Sequence, residues 1–312
     1  MNENIKLYNG DCLDVMDRLI ADGVKVNSII TSPPYYAKRA YGISKQFGGK
    51  LDCEHTLKEI KTSRPNLSGG KTEKQSTNKG SFAVDYNDRN IYSHICTKCN
   101  AWIGELGQES TVEEYIGHLC EIFDKAKDIL EEDGVLFVNI ADTYIDKGKY
   151  RKGMYLVPER LKIEMQKRGW ICRSKIIWHV VNKMPLSLKD RFLDDYEDVI
   201  MFVKNAKYKF NQQYEKVDSG ERIKRCVIST KNGASSKSNT ASYPVEIINP
   251  LILASSNEND IILDPFMGSG TTGIAALNLN RRFIGIEISS EYYTLSKDRI
   301  HKVIQDKESK TN

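Results

Sequence analysis

The nine residues DPFMGSGTT at positions 264–272 constrain the fold of this chain more than any other feature. They follow an apolar run at residues 261–263 and precede an apolar, alanine-containing segment at residues 273–277. A buried strand, a glycine-rich turn and a helix form the first unit of many nucleotide-binding sheets. Because Gly268 and Gly270 lack a Cβ atom, a ligand can lie directly against the backbone there. The pattern predicts an α/β fold with a doubly wound, mostly parallel sheet.

A second apolar strand, at residues 282–287, ends in an acid. Glu287 follows Asp264 by 23 residues, close to the offset of about 20 residues at which an acid binds ribose hydroxyls. The chain has no G-x-x-x-x-G-K-[ST] sequence, which argues against a P-loop. On these residues alone, another dinucleotide site or a glycine turn without a ligand remains an alternative.

The sequence TSPPY at residues 31–35 follows another apolar strand, at residues 26–30. Pro33 and Pro34 prevent a helix and restrict the backbone. The Ser32 side chain and the Pro33 carbonyl can each accept a hydrogen bond from an exocyclic amine, which has two N–H groups. Tyr35 can stack on an extruded base. The alternative is a Pro-Pro turn with a packing tyrosine.

Together the two motifs resemble those of the amino-methylating DNA methyltransferases, which act on cytosine N4 or adenine N6. The catalytic motif comes first, as in the β, circularly permuted group of that family. The resemblance covers residues 5–35, 102–204 and 243–300. It implies a Rossmann-like methyltransferase fold, S-adenosylmethionine as cofactor, and site-specific methylation of a flipped base in double-stranded DNA. It also implies a cytoplasmic protein of a bacterium or phage, and it leaves open a restriction endonuclease partner and an oligomer.

The resemblance also assigns site residues. For catalysis it implies Ser32, Pro33, Pro34 and Tyr35. For the cofactor it implies Asp11, Thr31, Asp264, Pro265, Phe266, Gly268, Ser269, Gly270, Thr271 and Glu287. Asp11 could equally be the N-cap of the helix that follows it. A helix is predicted at about residues 111–131 and a buried strand at residues 135–140. Asp142 and Tyr144 are secondary candidates, because they follow that strand.

The prediction of which atom is methylated depends on Ser32. Family members with serine before the two prolines mostly resemble cytosine-N4 enzymes, and those with aspartate mostly resemble adenine-N6 enzymes. Cytosine N4 is therefore favoured, and adenine N6 is the alternative. An RNA or protein-glutamine methyltransferase and a non-catalytic nucleic-acid-binding module are further alternatives, although an intact SPPY sequence argues against the last.

Basic residues are concentrated in two segments of this 312-residue chain, whose net charge is only +4. Residues 205–243 hold eight lysines and arginines against three acids, and residues 61–100 hold seven against three. This distribution favours a polyanion-binding surface, with solvated loops as the alternative. Within residues 205–243, the predicted DNA contacts are Arg222, Lys224 and Arg225. The resemblance implies a further DNA contact at Lys183, in a loop that looks like the family's segment flanking the target-base pocket.

Residues 36–101 show little periodicity and form a predicted insertion. Cys53, His55, Cys96 and Cys99 provide a Cys₃His set that suits a structural zinc ion, and unligated cysteines are the alternative. The seven cysteines lack dense, even spacing, which favours a reducing compartment over a disulfide scaffold.

The predicted organisation is a single methyltransferase domain with a seven-stranded sheet. Its catalytic half comprises residues 1–35 and 102–204, and its cofactor-binding half comprises residues 244–306. Residues 205–243 are the expected target-recognition segment, and residues 307–312 an expected disordered tail. No apolar stretch is long enough for a membrane span, and the polar N-terminus does not resemble a signal peptide.

Overall fold

The computed structural model describes residues 4–38, 42–50, 52–63, 90–184, 186–231 and 243–311. Most of the polar part of the predicted insertion, residues 64–89, lies outside the described residues. So does the Ser/Asn/Gly-rich part of the predicted recognition segment, residues 232–242.

The described part of the chain contains fourteen strands and six helices. The strands are β1 (Ile5–Asn9), β2 (Val26–Thr31), β3 (Lys45–Phe47), β4 (Leu57–Ser63), β5 (Asn90–Cys96), β6 (Trp102–Gly104), β7 (Leu130–Ile140), β8 (Ile171–Val180), β9 (Tyr196–Val203), β10 (Tyr214–Val217), β11 (Gly220–Ile223), β12 (Val227–Thr230), β13 (Ile261–Asp264) and β14 (Arg282–Glu287). The helices are α1 (Cys12–Ala21), α2 (Val112–Ile129), α3 (Val157–Lys167), α4 (Val245–Ser255), α5 (Thr271–Asn278) and α6 (Ser290–Thr311).

Eight strands form the main sheet, in the order β1-β14-β13-β2-β7-β9-β8-β12. Neighbours from β1 to β7 are parallel, β9 is antiparallel to β7 and to β8, and β12 is parallel to β8. The prediction of a mostly parallel sheet is confirmed. The expected number of seven strands is wrong, because β12, from the predicted recognition segment, pairs with β8 at the edge.

Helices cover both faces of this sheet, so the predicted doubly wound arrangement is confirmed. On one face, α1, α2 and α3 pack through side chains such as Leu119 and Phe123. On the other face, α4, α5 and α6 pack through side chains such as Ile252 and Phe283. Central strands are buried on both sides, which explains their continuous apolar runs. Among the helices of the described chain, none combines the length and apolarity that a membrane span requires.

The predicted insertion contains a second, four-stranded antiparallel sheet in the order β3-β6-β5-β4. Its last strand, β6, begins at Trp102, one residue beyond the expected boundary of the insertion. The small sheet is anchored to the main domain by aromatic packing. The Phe47 ring stacks on His118 of α2 at a centroid distance of 4.2 Å, and Trp102 packs beside both rings.

Two predicted boundaries differ from the structure. The strand predicted at residues 135–140 begins at Leu130, where the expected helix was still continuing, and β7 pairs with β2 across an irregular register. Helix α6 continues to Thr311, so residues 307–311, expected to be disordered, are helical.

The parallel strands determine where a ligand can bind. The carboxyl ends of β1, β14, β13, β2 and β7 meet at one edge of the sheet, and β9 presents its amino end there because it runs the other way. In open α/β sheets, ligands bind at this edge.

Candidate functional site

A cavity of about 570 Å³ opens at the carboxyl edge of the main sheet. This volume lies within the range of roughly 300–1,000 Å³ that is usual for cofactor and small-molecule sites. Twelve of the residues predicted from sequence line it. They are Asp11, Ser32, Pro33, Pro34, Tyr35, Lys183, Pro265, Phe266, Gly268, Ser269, Thr271 and Glu287.

Asp264 and Thr31, expected to bind the cofactor, instead lie beneath the cavity floor and are almost fully buried. The Thr31 hydroxyl donates to Oδ1 of Asp264 at 2.6 Å, and the Phe266 backbone N–H donates to the same oxygen at 3.0 Å. The hydroxyls of Thr272 and Tyr243 lie 2.7 and 3.2 Å from Oδ2. Burial raises the pKa of the Asp264 carboxyl, and these donors oppose that effect by stabilising the charged form. Asp264 therefore supports the site and does not line it.

The two glycines of the turn have different roles. Gly270 caps α5 with a φ of +81°, and a Cβ atom there would lie 3.0 Å from the Ser296 Cβ. Its conformation and its packing against α6 require glycine, and it does not line the cavity. Gly268 has a φ of +52° and lines the cavity, so its backbone is open to a ligand as predicted.

Glu287 is held at the cavity rim by two backbone groups. Its Oε2 accepts from the Gly268 N–H and its Oε1 from the Ser289 N–H, each at 2.8 Å. Burial raises the pKa of the Glu287 carboxyl. Each carboxylate oxygen can accept more than one hydrogen bond, so the group is oriented and can still accept from ligand hydroxyls.

Asp11 is the N-cap of α1, and it also lines the cavity. Its Oδ1 accepts from the Leu13 N–H at 2.8 Å as the N-cap of α1. The same oxygen forms an ion pair with Lys45, which reaches it from the insertion sheet. Asp11 also lines the cavity, so the cap and the site share one carboxylate.

Two buried hydroxyls at the cavity wall lack a hydrogen-bond partner among the described residues. They belong to Ser269 and Thr271, at the start of α5. Because an unpaired buried hydroxyl costs free energy, this part of the wall is suited to a polar ligand. The helix terminus beside them favours an anionic group such as a carboxylate.

The opposite side of the cavity is built around Tyr35. Its hydroxyl donates to Glu197 Oε2 at 2.6 Å and lies 3.0 Å from Asn139 Oδ1, while Asn139 Nδ2 donates to the same Glu197 oxygen at 3.2 Å. Burial and the Glu197 carboxylate raise the pKa of the Tyr35 hydroxyl well above its ordinary value. The hydroxyl therefore stays protonated, and the ring is fixed at its far end. Ser32 lies beside it, with its Oγ 3.4 Å from the Tyr35 hydroxyl.

Two residues fix the backbone of the SPPY turn from outside the cavity. The Tyr115 hydroxyl of α2 donates to the Pro34 carbonyl at 2.9 Å. Gly107 has a φ of +90°, and a Cβ atom there would lie 2.9 Å from the Tyr35 carbonyl oxygen. The close approach of the Gly107 backbone, whose carbonyl accepts from the Ala37 N–H at 2.7 Å, therefore requires glycine.

The side chains of three lysines, Lys38, Lys45 and Lys183, line the cavity. Lys183, predicted to contact DNA, lines the cavity, and Lys45 enters from the insertion sheet. The Lys38 ammonium lies 4.8 Å from the centre of the Tyr35 ring. Burial lowers the pKa of Lys38, and the charge of Lys183 lowers it further, while Glu197 opposes both.

Polar side chains that line the cavity but were not predicted from the sequence include Lys45, Asn139, Glu197 and Tyr243. Asn139 and Glu197 carried one signal, because each is a polar residue within or beside an apolar strand. Lys45 and Tyr243 carried no local signal.

Asp142 and Tyr144, the secondary candidates, do not line the cavity. Asp142 accepts from the backbone N–H groups of Leu156 and Val157, at 3.0 and 3.2 Å, at the start of α3. The Tyr144 hydroxyl donates to Asp194 at 2.9 Å. Both support loop structure, and neither reaches the cavity.

The remaining predicted residues lie outside the cavity. Arg222 of β11 donates to Glu215 of β10 at 2.6 Å, and Lys224 and Arg225 follow β11. The four predicted metal ligands, Cys53, His55, Cys96 and Cys99, lie together in the insertion.

Comparison with known proteins gives a family match over most of the chain. Residues 26–298 match the N6/N4 methyltransferase family, which is described as DNA methylase. The type II methyltransferase M.SmaI of Serratia marcescens is 30% identical, over 70% of this chain and 87% of the relative. The type II methyltransferase M.Cfr9I of Citrobacter freundii is 29% identical, over 94% of this chain and 87% of the relative.

Solved structures share the fold. PvuII DNA methyltransferase, described as cytosine-N4-specific, aligns with a TM-score of 0.61 at 18% identity, over 96% of this chain and 91% of that chain. The complex of M1.HpyAVI with SAM aligns with a TM-score of 0.57 at 19% identity, over 95% of this chain and 98% of that chain.

The role of Asp264 can be tested by stability. Asp264→Asn replaces a carboxylate that accepts from three hydroxyls and a backbone N–H, so we expect the free energy of unfolding to fall by about 2 kcal/mol. Asp17→Asn is the matched control, because Asp17 pairs with Lys125 at the surface and such pairs contribute roughly 0–1 kcal/mol. Urea unfolding of both variants measures the difference. Equal losses would contradict the supporting role of Asp264.

Proposed function

This chain belongs to the DNA methylase family of N6 and N4 methyltransferases, and we propose that it transfers a methyl group from S-adenosylmethionine to the N4 amine of cytosine in DNA. The observation that carries the proposal is that one cavity brings the SPPY residues together with the DPFMGSGTT turn and Glu287. A cofactor bound at the turn and a base bound at SPPY would share this cavity.

The cofactor half fits the chemistry of S-adenosylmethionine. The oriented Glu287 carboxylate can accept from the two ribose hydroxyls. The unpaired hydroxyls of Ser269 and Thr271, at the start of α5, can donate to the amino acid carboxylate. When bound, the cofactor supplies an electrophilic methyl group on a sulfonium ion.

The base half fits an exocyclic amine. Such an amine is a poor nucleophile, because its lone pair is delocalised into the ring. Ser32 and the Pro33 carbonyl can accept hydrogen bonds from its two N–H groups and favour a tetrahedral nitrogen. The turn that carries them is held by Tyr115 and Gly107. The Tyr35 ring, fixed through Glu197 and Asn139, provides a stacking surface for a flipped base. The product can lose its extra proton to water, either directly or through the Ser32 hydroxyl.

Cytosine is favoured over adenine by Ser32. A neutral hydroxyl both accepts and donates, so it can contact the amine and a neighbouring ring atom. A structural neighbour is described as cytosine-N4-specific, which agrees with this choice. The relatives are named type II methyltransferases, and we extend the proposal to a partner restriction endonuclease of the same sequence specificity.

Mass spectrometry of digested DNA tests the proposed function. The chain is expressed in a host that lacks adenine-N6 and cytosine-N4 methylation, and the nucleosides of its DNA are analysed. We expect N4-methylated deoxycytidine. If only N6-methylated deoxyadenosine is found, the target base is adenine and not cytosine. Absence of both, with purified protein that still binds DNA, would favour a non-catalytic module.

Ser32→Ala tests the catalytic assignment. The hydrogen bond between Ser32 and the amine of the base strengthens only as the nitrogen becomes tetrahedral. We therefore expect turnover to fall by roughly 10²-fold or more. The affinity for S-adenosylmethionine should stay close to that of the parent. Single-turnover kinetics and calorimetry measure the two quantities, with Ser110→Ala, at an exposed position before α2, as the control. A parallel loss of affinity and turnover would assign Ser32 to the cofactor side.

The predicted DNA contacts are tested by salt dependence. Each lysine or arginine that neutralises a phosphate contributes about 0.9 to the slope of log affinity against log salt. We expect Lys224→Ala with Arg225→Ala to reduce the slope by up to about 2 units. Arg222→Ala should change it less, because Arg222 is already paired with Glu215. Lys302→Ala, at an exposed position of α6, is the control, and a slope equal to the parent's in the double variant would place the DNA surface elsewhere.

A further inference from the structure

Four side chains with metal-binding atoms converge at one end of the insertion sheet. Cys53 and His55 precede β4, Cys96 ends β5, and Cys99 lies in the turn before β6. Their ligand atoms all lie within 4.8 Å of one another. Three thiols and one imidazole are a ligand set that structural zinc sites use.

The distances within the cluster match a shared tetrahedral ion. Zinc bonds of about 2.3 Å to sulfur and about 2.0–2.1 Å to nitrogen place two sulfurs about 3.8 Å apart, and a sulfur and a nitrogen about 3.5–3.6 Å apart. Sγ of Cys53 and Sγ of Cys96 are 3.8 Å apart. Sγ of Cys99 and Nδ1 of His55 are 3.5 Å apart. A disulfide would require about 2.05 Å between its sulfurs, and all these cysteines are free.

Neighbouring groups prepare the cluster for a cation. His55 Nε2 lies 3.0 Å from the Gln46 side-chain oxygen, which can only accept. That contact places the imidazole hydrogen on Nε2, so the lone pair of Nδ1 faces the thiols, as in metal sites whose histidine is oriented by an outer partner. The backbone N–H of Lys98 points at the Cys96 sulfur at 3.4 Å. Such a donor stabilises a thiolate, which is the form that binds metal.

We infer that the chain binds one zinc ion through Cys53, His55, Cys96 and Cys99. Four protein ligands complete a tetrahedral site and leave no open position, so the ion is structural and takes no part in the transfer reaction. None of the four residues lines the cavity.

The zinc site joins two chain segments that are separated in the sequence by the residues between β4 and β5. Cys53 and His55 lie before the residues between β4 and β5, and Cys96 and Cys99 lie after them. The first two ligands come soon after β3 in the sequence. Strand β3 supplies Lys45 and Phe47 to the cavity wall. A small sheet with a limited core thus gains a cross-link near the strand that contacts Asp11.

Metal analysis of the full chain, purified without chelator, tests the inference. We expect one zinc per chain in the parent protein and in Cys226→Ser, the matched control at an exposed cysteine. We expect Cys99→Ser to lose most of this zinc. Zinc in Cys99→Ser equal to that of the control would overturn the site.

A second measurement covers the case in which Cys99→Ser fails to fold. Cobalt(II) is exchanged into the parent protein and its absorption spectrum is recorded. We expect sulfur-to-cobalt charge-transfer bands in the near ultraviolet and strong visible bands of a tetrahedral ion. A folded parent that contains no metal and takes up no cobalt would refute the proposal. Both readouts use the protein alone, so they do not depend on whether it methylates cytosine.

Discussion

The buried Asp264 carboxylate is the interaction on which the site depends. It accepts from Thr31 at the end of β2, and from Phe266 and Thr272 in the turn and first residues of α5. A carboxylate in the protein interior is costly unless it is hydrogen-bonded, so these elements are held in one arrangement. Thr31 and Asp264 are separated by 233 positions in sequence. The two halves of the cavity are therefore aligned by a spatial contact, and the order of the two motifs along the chain does not matter for it.

Local motifs made much of the fold and site predictable. DPFMGSGTT, TSPPY and the strand before Glu287 each combine an apolar strand with a turn whose residues are chemically distinctive. The family match confirms the resemblance inferred from them, and the predicted doubly wound sheet is confirmed. Such motifs are informative because the backbone conformation and the ligand chemistry depend on the same few residues.

Residues that enter the cavity through long-range pairing could not be predicted. Glu197 faces Tyr35 only because β9 runs antiparallel to β7, which a short apolar strand does not reveal. Lys45 reaches Asp11 from a second sheet whose polar strands show little periodicity. The same reason explains the early start of β7, where pairing with β2 overrides the helical pattern near Leu130.

The anchored hydroxyl of Tyr35 has a consequence for affinity. A side chain that must become ordered on binding reduces the net affinity by roughly 0.5–1.5 kcal/mol. The Tyr35 ring is held by Glu197 and Asn139 before any ligand enters, so its rotational freedom is already lost in the folded protein. A planar group that enters the cavity therefore meets a rigid surface. Its affinity for that surface depends on the stacking energy and on the free energy needed to take the group out of its previous surroundings.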